Sequence, residues 1–115
     1  MGRRHRQRTK LSAGVDEYQD DDGSVLELRR SLTPATRLQY TETLASGLYR
    51  EVARQRATEL LFERLAVSWT IAGLKLERQK DLLGRYRLAS AGEREFVRRA
   101  MREHVAEHFP ELEVP

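Results

Sequence analysis

The sharpest chemical signal in the chain is His104-Val105-Ala106-Glu107-His108. Two imidazoles four positions apart share one helix face and can hold a zinc ion between them. In this H-x-x-E-H order Glu107 would be the general base acting on a metal-bound water. A catalytic zinc needs a third protein ligand, normally carried on a separate element downstream. Glu111 and Glu113 do follow His108, but they lie between Pro110 and Pro115 rather than on a supporting helix. The sequence therefore predicts a structural or solvated histidine pair at His104 and His108, with no bound metal and no cofactor.

No other catalytic signature is present. There is no phosphate-cradling glycine loop, no dinucleotide fingerprint and no nucleophile elbow. With no cysteine there is no thiolate metal site, no thiol nucleophile and no disulfide, which suits a reducing, cytoplasmic setting. Glu77 and Asp81 fall four apart on a charged helix, an ordinary solvated pair. The reading is of a protein without enzymatic activity.

The 115 residues amount to one ordinary domain. A chain this short buries only about 60–65% of its unfolded surface, which leaves little room for an enclosed catalytic cavity. Its apolar runs are too short to span a bilayer, and no apolar stretch follows the basic N-terminus as a secretory signal requires.

Charge divides the chain into unlike segments. Residues 1–10 hold Arg3, Arg4, Arg6, Arg8 and Lys10 and no acid, whereas residues 11–23 hold Asp16, Glu17, Asp20, Asp21 and Asp22 and no base. These 23 residues contain few apolar side chains, so they read as a flexible arm, basic then acidic, ahead of a domain over residues 24–115. Among the basic residues 18 are Arg and 3 are Lys. The excess runs through every segment, which marks it as compositional bias before a binding patch.

In the domain, Val25-Leu26-Glu27-Leu28 is a short strand or an extended lead-in after the turn pair Asp22-Gly23. Thr33-Pro34 is a helix start, with Thr33 as N-cap and Pro34 in the first turn. Leucine spacing favours one helix over 34–46 and a second over 48–67, divided at Gly47, with a single long helix bent at Gly47 as the alternative. Residues 68–74, mixing Trp69, Thr70 and Ile71 with Gly73, break the helical rhythm as an extended or buried connector, and Trp69 is expected to plug the core. A short helix follows over 75–84. Ser90-Ala91-Gly92-Glu93 is a capping box and opens a helix over 91–108, which Pro110 closes. The expected fold is mainly α: a small bundle of three to four helices, with room for one short N-terminal strand, behind a flexible charged arm.

A partner protein is the leading expectation, because a small helical bundle commonly leaves an apolar stripe for a partner helix. Leu65, Trp69, Phe96, Met101 and Phe109 are the residues such a surface would draw on. Nucleic acid is the alternative partner. Arg3, Arg4, Arg6, Arg8 and Lys10 could track a phosphate backbone, joined by Arg85, Arg87, Arg94, Arg98, Arg99 and Arg102. Glu93, Glu95, Glu103 and Glu107 interleave with that second group, so it reads first as surface ion networks.

The order Gly23-Ser24-Val25-Leu26-Glu27-Leu28-Arg29, then Thr33-Pro34, then Trp69-Thr70-Ile71-Ala72-Gly73-Leu74 resembles small accessory proteins of tailed bacteriophages and prophages, tail-assembly chaperones being the nearest class. The resemblance covers residues 23–115 and rests on layout. It implies a non-enzymatic assembly factor that binds another phage structural protein, and it transfers no site residues.

Overall fold

The computed structural model describes residues 14–115 and, ahead of them, the backbone of a two-residue strand β1 (Arg4–His5). The remaining elements are strands β2 (Val15–Gln19) and β3 (Val25–Arg29), helices α1 (Pro34–Ala45) and α2 (Arg50–Leu65), strands β4 (Ala66–Ile71) and β5 (Leu74–Leu76), and helices α3 (Gln79–Arg87) and α4 (Ala91–His108). The strands pair in chain order as one antiparallel sheet. The fold is therefore α+β, which corrects the mainly helical bundle expected from the sequence. Residues 15–19, expected in the flexible arm, are a sheet strand paired along its whole length with β3.

Alternation at period two explains the hairpin. Asp16 and Tyr18 on β2, and Leu26 and Leu28 on β3, are the buried positions, while the residues between them are partly exposed. The reversal is closed by Asp20 N–H donating to Ser24 C=O (2.9 Å) and by Ser24 N–H donating to Asp22 Oδ1 (2.9 Å). β4 follows α2 with no intervening loop, and its pairing with β3 shifts register between Glu27 and Leu28, the mark of a bulge. The β4–β5 turn is Ala72-Gly73, with φ of 51° and 83°. Two consecutive positive φ values make the type I′ geometry that matches the twist of a two-residue hairpin. This is the only described non-glycine residue with positive φ, and the turn converts the expected connector into two strands.

Helices α1 and α4 start and stop close to where local chemistry predicts, whereas α3, expected over 75–84, runs Gln79–Arg87 because residues 74–76 pair with β4 as β5. Thr33 Oγ1 accepts from Thr36 N–H (3.0 Å), and Pro34 opens α1. Gly47, at φ 87°, lies between α1 and α2, so the two are separate helices. At α4 the capping box is complete: Ser90 Oγ accepts from Glu93 N–H (3.1 Å), and Glu93 Oε1 accepts from Ser90 N–H (2.9 Å). A Ser90→Ala chain should lose about 1 kcal/mol and melt about 4–8 °C lower, as a thermal scan followed by circular dichroism would report.

The core lies between the sheet and the helices. α4 turns Phe96, Val97, Ala100, Met101, His104 and Val105 inward and packs on β3. On the other side Phe62 of α2 meets Trp69 of β4 edge-on (5.9 Å between centroids) and stacks on Tyr86 of α3 (5.0 Å). The segment after α4 is tied to α1 by the Tyr40 hydroxyl donating to Glu113 C=O and by an Arg37–Glu111 ion pair (3.1 Å). Among the described residues no helix is long and apolar enough to cross a membrane.

Candidate functional site

An open groove of about 1010 Å³ is lined by α2, the end of α3 and α4. On α4, Arg94, Arg98 and Arg102 recur every four residues, which stacks them along one helix face. That row flanks the inward stripe of Val97 and Met101, one i,i+3 step away, so burying the apolar side of α4 sets its arginines along the edge that borders the groove. Arg54 and Arg56 come from α2 and Arg87 from the last turn of α3, so six arginines face two glutamates, Glu51 and Glu59.

Several of these guanidiniums are already engaged. Arg87 pairs with Glu59 (2.8 Å), and Arg98 and Arg102 share Glu95 (2.9 and 3.1 Å). The Arg98 and Arg102 contacts hold the Glu95 carboxyl below its usual pKa. Others are not engaged: Arg54 and Arg56 form no ion pair among the described residues. Arg94 donates from Nη2 to Arg87 C=O (2.8 Å), but its Nε is buried without a hydrogen-bond partner among the described residues. A buried donor left unpaired is costly, and an anionic ligand in the groove would satisfy it. Burial raises the pKa of the Tyr86 phenol in the same wall, with Arg98 opposing, so this hydroxyl stays neutral near pH 7.

The arginines named from the sequence divide accordingly. Arg87, Arg98 and Arg102 come together in the groove. Arg85 is held away by a two-point contact with Glu93 (3.1 and 2.8 Å), over the Trp69 ring. Arg99 lies over the Phe96 ring and 3.8 Å from Asp20. Arg3, Arg6, Arg8 and Lys10 lie outside the described residues, as does the side chain of Arg4. Arg94, in the same sequence cluster, lines the groove with Arg87, Arg98 and Arg102, in line with the four-residue recurrence along α4. The sequence reading missed Arg54 and Arg56.

The residues expected to meet a partner protein are core instead. Leu65, Trp69, Phe96, Met101 and Phe109 are each at most 4% exposed, because the sheet absent from the expected fold covers the stripes that a bare bundle would have left open. The large apolar side chains that do face outward are others, with Leu48 at 93% and Tyr49 at 72%, beside exposed Leu38 and Val52 near the α1–α2 turn.

A second cluster is buried where β2 meets the end of α4. Asp16 is fully buried, and its Oδ1 accepts from Arg30 Nε (3.0 Å) and Nη2 (2.8 Å). Its Oδ2 lies 2.7 Å from His108 Nε2 and 3.6 Å from His104 Nδ1. His104 Nε2 is 2.7 Å from Arg29 C=O. A carbonyl can only accept, so Nε2 carries the proton and Nδ1 presents its lone pair to the Tyr18 hydroxyl at 2.8 Å. Burial pushes the His104 pKa down to about 4, so the ring is neutral at pH 7. Glu107, the base of the H-x-x-E-H reading, is on the exposed side of α4. The third group missing from that reading is Asp16, supplied from upstream rather than downstream. Its clue was the alternation of Val15-Asp16-Glu17-Tyr18 ahead of a turn and a second apolar strand.

No protein-family model, curated protein or solved structure matches this chain. The molecule is characterised by its own architecture: an α+β domain with an arginine-lined groove on one side and a buried histidine–carboxylate cluster at the sheet.

Proposed function

We propose that this chain is a non-enzymatic macromolecule-binding protein whose groove between α2 and α4 takes the phosphate backbone of a nucleic acid. The observation that carries this reading is the alignment of Arg94, Arg98 and Arg102 along α4, facing Arg54 and Arg56 of α2, which form no ion pair among the described residues. Guanidinium groups grip phosphate bidentately, and each phosphate neutralised releases condensed counterions. The Glu95 contacts that now hold Arg98 and Arg102 are exposed ion pairs of small worth, and a phosphate can displace them. The cysteine-free composition suits action in a reducing cytoplasm.

The test is fluorescence anisotropy with labelled single-stranded and duplex oligonucleotides across a salt series. Binding should weaken steeply with salt. The double variant Arg98→Ala/Arg102→Ala should bind at least about tenfold more weakly and flatten the slope of log K against log salt by roughly 1.5. An Arg78→Ala control, outside the groove, should leave both unchanged. No binding at low salt, or equal loss in the control, would overturn the reading.

A second reading is the assembly or adaptor factor that the phage resemblance implies, binding another protein. It is favoured by the exposed Leu38, Leu48, Tyr49 and Val52 near the α1–α2 turn, where a folded domain otherwise gains nothing from apolar side chains. If that surface binds the partner, Leu48→Asp should abolish capture while leaving melting within a few degrees of the parent.

A further inference from the structure

We propose that Asp16, His104 and His108 form a structural Zn²⁺ site that fastens strand β2 to the C-terminal end of α4. One ligand atom from each of these residues lies within 4.8 Å of the other two. A tetrahedral zinc bound at about 2.0–2.1 Å places neighbouring ligand atoms roughly 3.3 Å apart. The distances from Asp16 Oδ2 to His108 Nε2 (2.7 Å) and to His104 Nδ1 (3.6 Å) bracket that separation, and the two imidazole nitrogens lie within 4.8 Å of each other. Two imidazole nitrogens and one carboxylate oxygen are a donor set for a borderline ion such as zinc, and too poor in oxygen for Mg²⁺ or Ca²⁺.

The surrounding contacts are those a metal ligand needs. Arg29 C=O takes the Nε2 proton of His104, which leaves Nδ1 as the coordinating atom and fixes the ring. Arg30 occupies only Oδ1 of Asp16, orienting the carboxylate so that Oδ2 faces the imidazoles. The two histidines stand one helical turn apart on α4, 4.5 Å between ring centroids, and Asp16 sits on a strand paired along its length. Two ligands are thus presented by one rigid element and the third by another, which leaves one tetrahedral position for a further donor. The Tyr18 hydroxyl, 2.8 Å from His104 Nδ1, stands beside the fourth position.

Binding is proton-balanced without any co-reactant. Without metal, His108 Nε2–H donates to Asp16 Oδ2 and the Tyr18 hydroxyl donates to His104 Nδ1. On coordination the ion takes both places: the His108 ring gives up its Nε2 proton and takes one at Nδ1 through solvent, which reaches its 16%-exposed side chain, while the Tyr18 O–H keeps its proton and turns away from Nδ1. Asp16 and His104 are fully buried and Glu107 points outward, so the metal's role is to hold the fold. It adds a cross-link between the strand that leads into the basic N-terminal residues and the helix that carries the groove arginines.

The experiment uses the full chain, stripped with a chelator and dialysed, with Zn²⁺ as the probe and Co²⁺ as its spectroscopic substitute. Elemental analysis should give one zinc per chain. Zinc in large excess over its dissociation constant should raise Tm by about 10 °C. Co²⁺ should give the visible absorption of a tetrahedral N/O site. His108→Gln, at the partly exposed edge of the cluster, should still fold and lose both the stoichiometric metal and the Tm shift. A wild-type chain with well under one zinc per molecule and an unmoved Tm overturns the proposal, as does a His108→Gln chain that keeps its zinc. Should His108→Gln fail to fold, the wild-type stoichiometry, Tm shift and cobalt spectrum decide alone.

Discussion

A Met101→Lys chain should be largely unfolded at 25 °C, where Met101→Leu melts within a few degrees of the parent. Met101 is fully buried on α4, in the same cluster as Tyr18, Leu26, Leu65 and Trp69. A lysine there has no acidic partner in an apolar layer, so it either carries an unpaired charge into the core or forces the helix off the sheet. Either way the cost exceeds about 4 kcal/mol. A small domain has only about 5–15 kcal/mol of net stability, and this chain is short enough to sit toward the lower end. The volume-conserving leucine should cost less than about 1.5 kcal/mol. Far-UV circular dichroism and urea unfolding separate the two variants. The comparison distinguishes a core methionine from an interface methionine, since an interface residue changed to lysine would lose a partner and keep its melting curve.

The second large effect is an acid-side loss of stability in chelator-treated protein, centred on His104. Burial lowers its pKa from the ordinary 6.5 to about 4, with the nearby His108 and Arg30 pushing the same way and Asp16 and the Arg29 carbonyl pushing back. The folded state therefore favours the neutral ring, and the contribution is fully present above the unfolded pKa. As pH falls from about 6.5 to about 4 the unfolded chain takes up a proton that the native chain refuses. Unfolding free energy should drop over that window by about 3 kcal/mol in total, with no further loss from this residue below it. Urea titrations at pH 7, 5.5 and 4.5 would register the drop as a falling midpoint, and a His104→Gln chain should show a much flatter profile. A wild-type midpoint unchanged between pH 7 and pH 5 would contradict the lowering of the His104 pKa by burial.

How the histidines came to be read only as a pair shows where a one-dimensional pattern stops. His104 and His108 are neighbours because α4 is helical, and helicity is a local property with a repeat of 3.6 residues. Asp16 joins them only when β2 is laid on β3 and β3 on α4, contacts that no short window contains. Read alone, Asp16 belongs with Glu17, Asp20, Asp21 and Asp22 to a solvated acidic run. Its inward position is tolerable because Arg30, two residues beyond the Leu28 to which it pairs, neutralises it and His108 hydrogen-bonds it. The same holds for the arginines. Their number and the four-residue step on α4 are visible in the chain, but which of them share a groove depends on how α2 lies against α3 and α4.

What the amino-acid order determined by itself was the helical part: the Thr33-Pro34 start of α1, the break at Gly47, and the Ser90–Glu93 box that opens α4, because caps and turns are chosen by side chains within a few residues of the backbone groups they satisfy. Only the tertiary structure decided the sheet. Val15–Gln19 carries two acids in five residues and Ala66–Ile71 follows a helix without a loop, so neither announces a strand locally. Each becomes one because its backbone N–H and C=O groups find partners across the sheet and its inward side chains find the helices. That long-range pairing turned an expected bundle with open apolar stripes into a closed core, and left charge, rather than carbon, lining the groove.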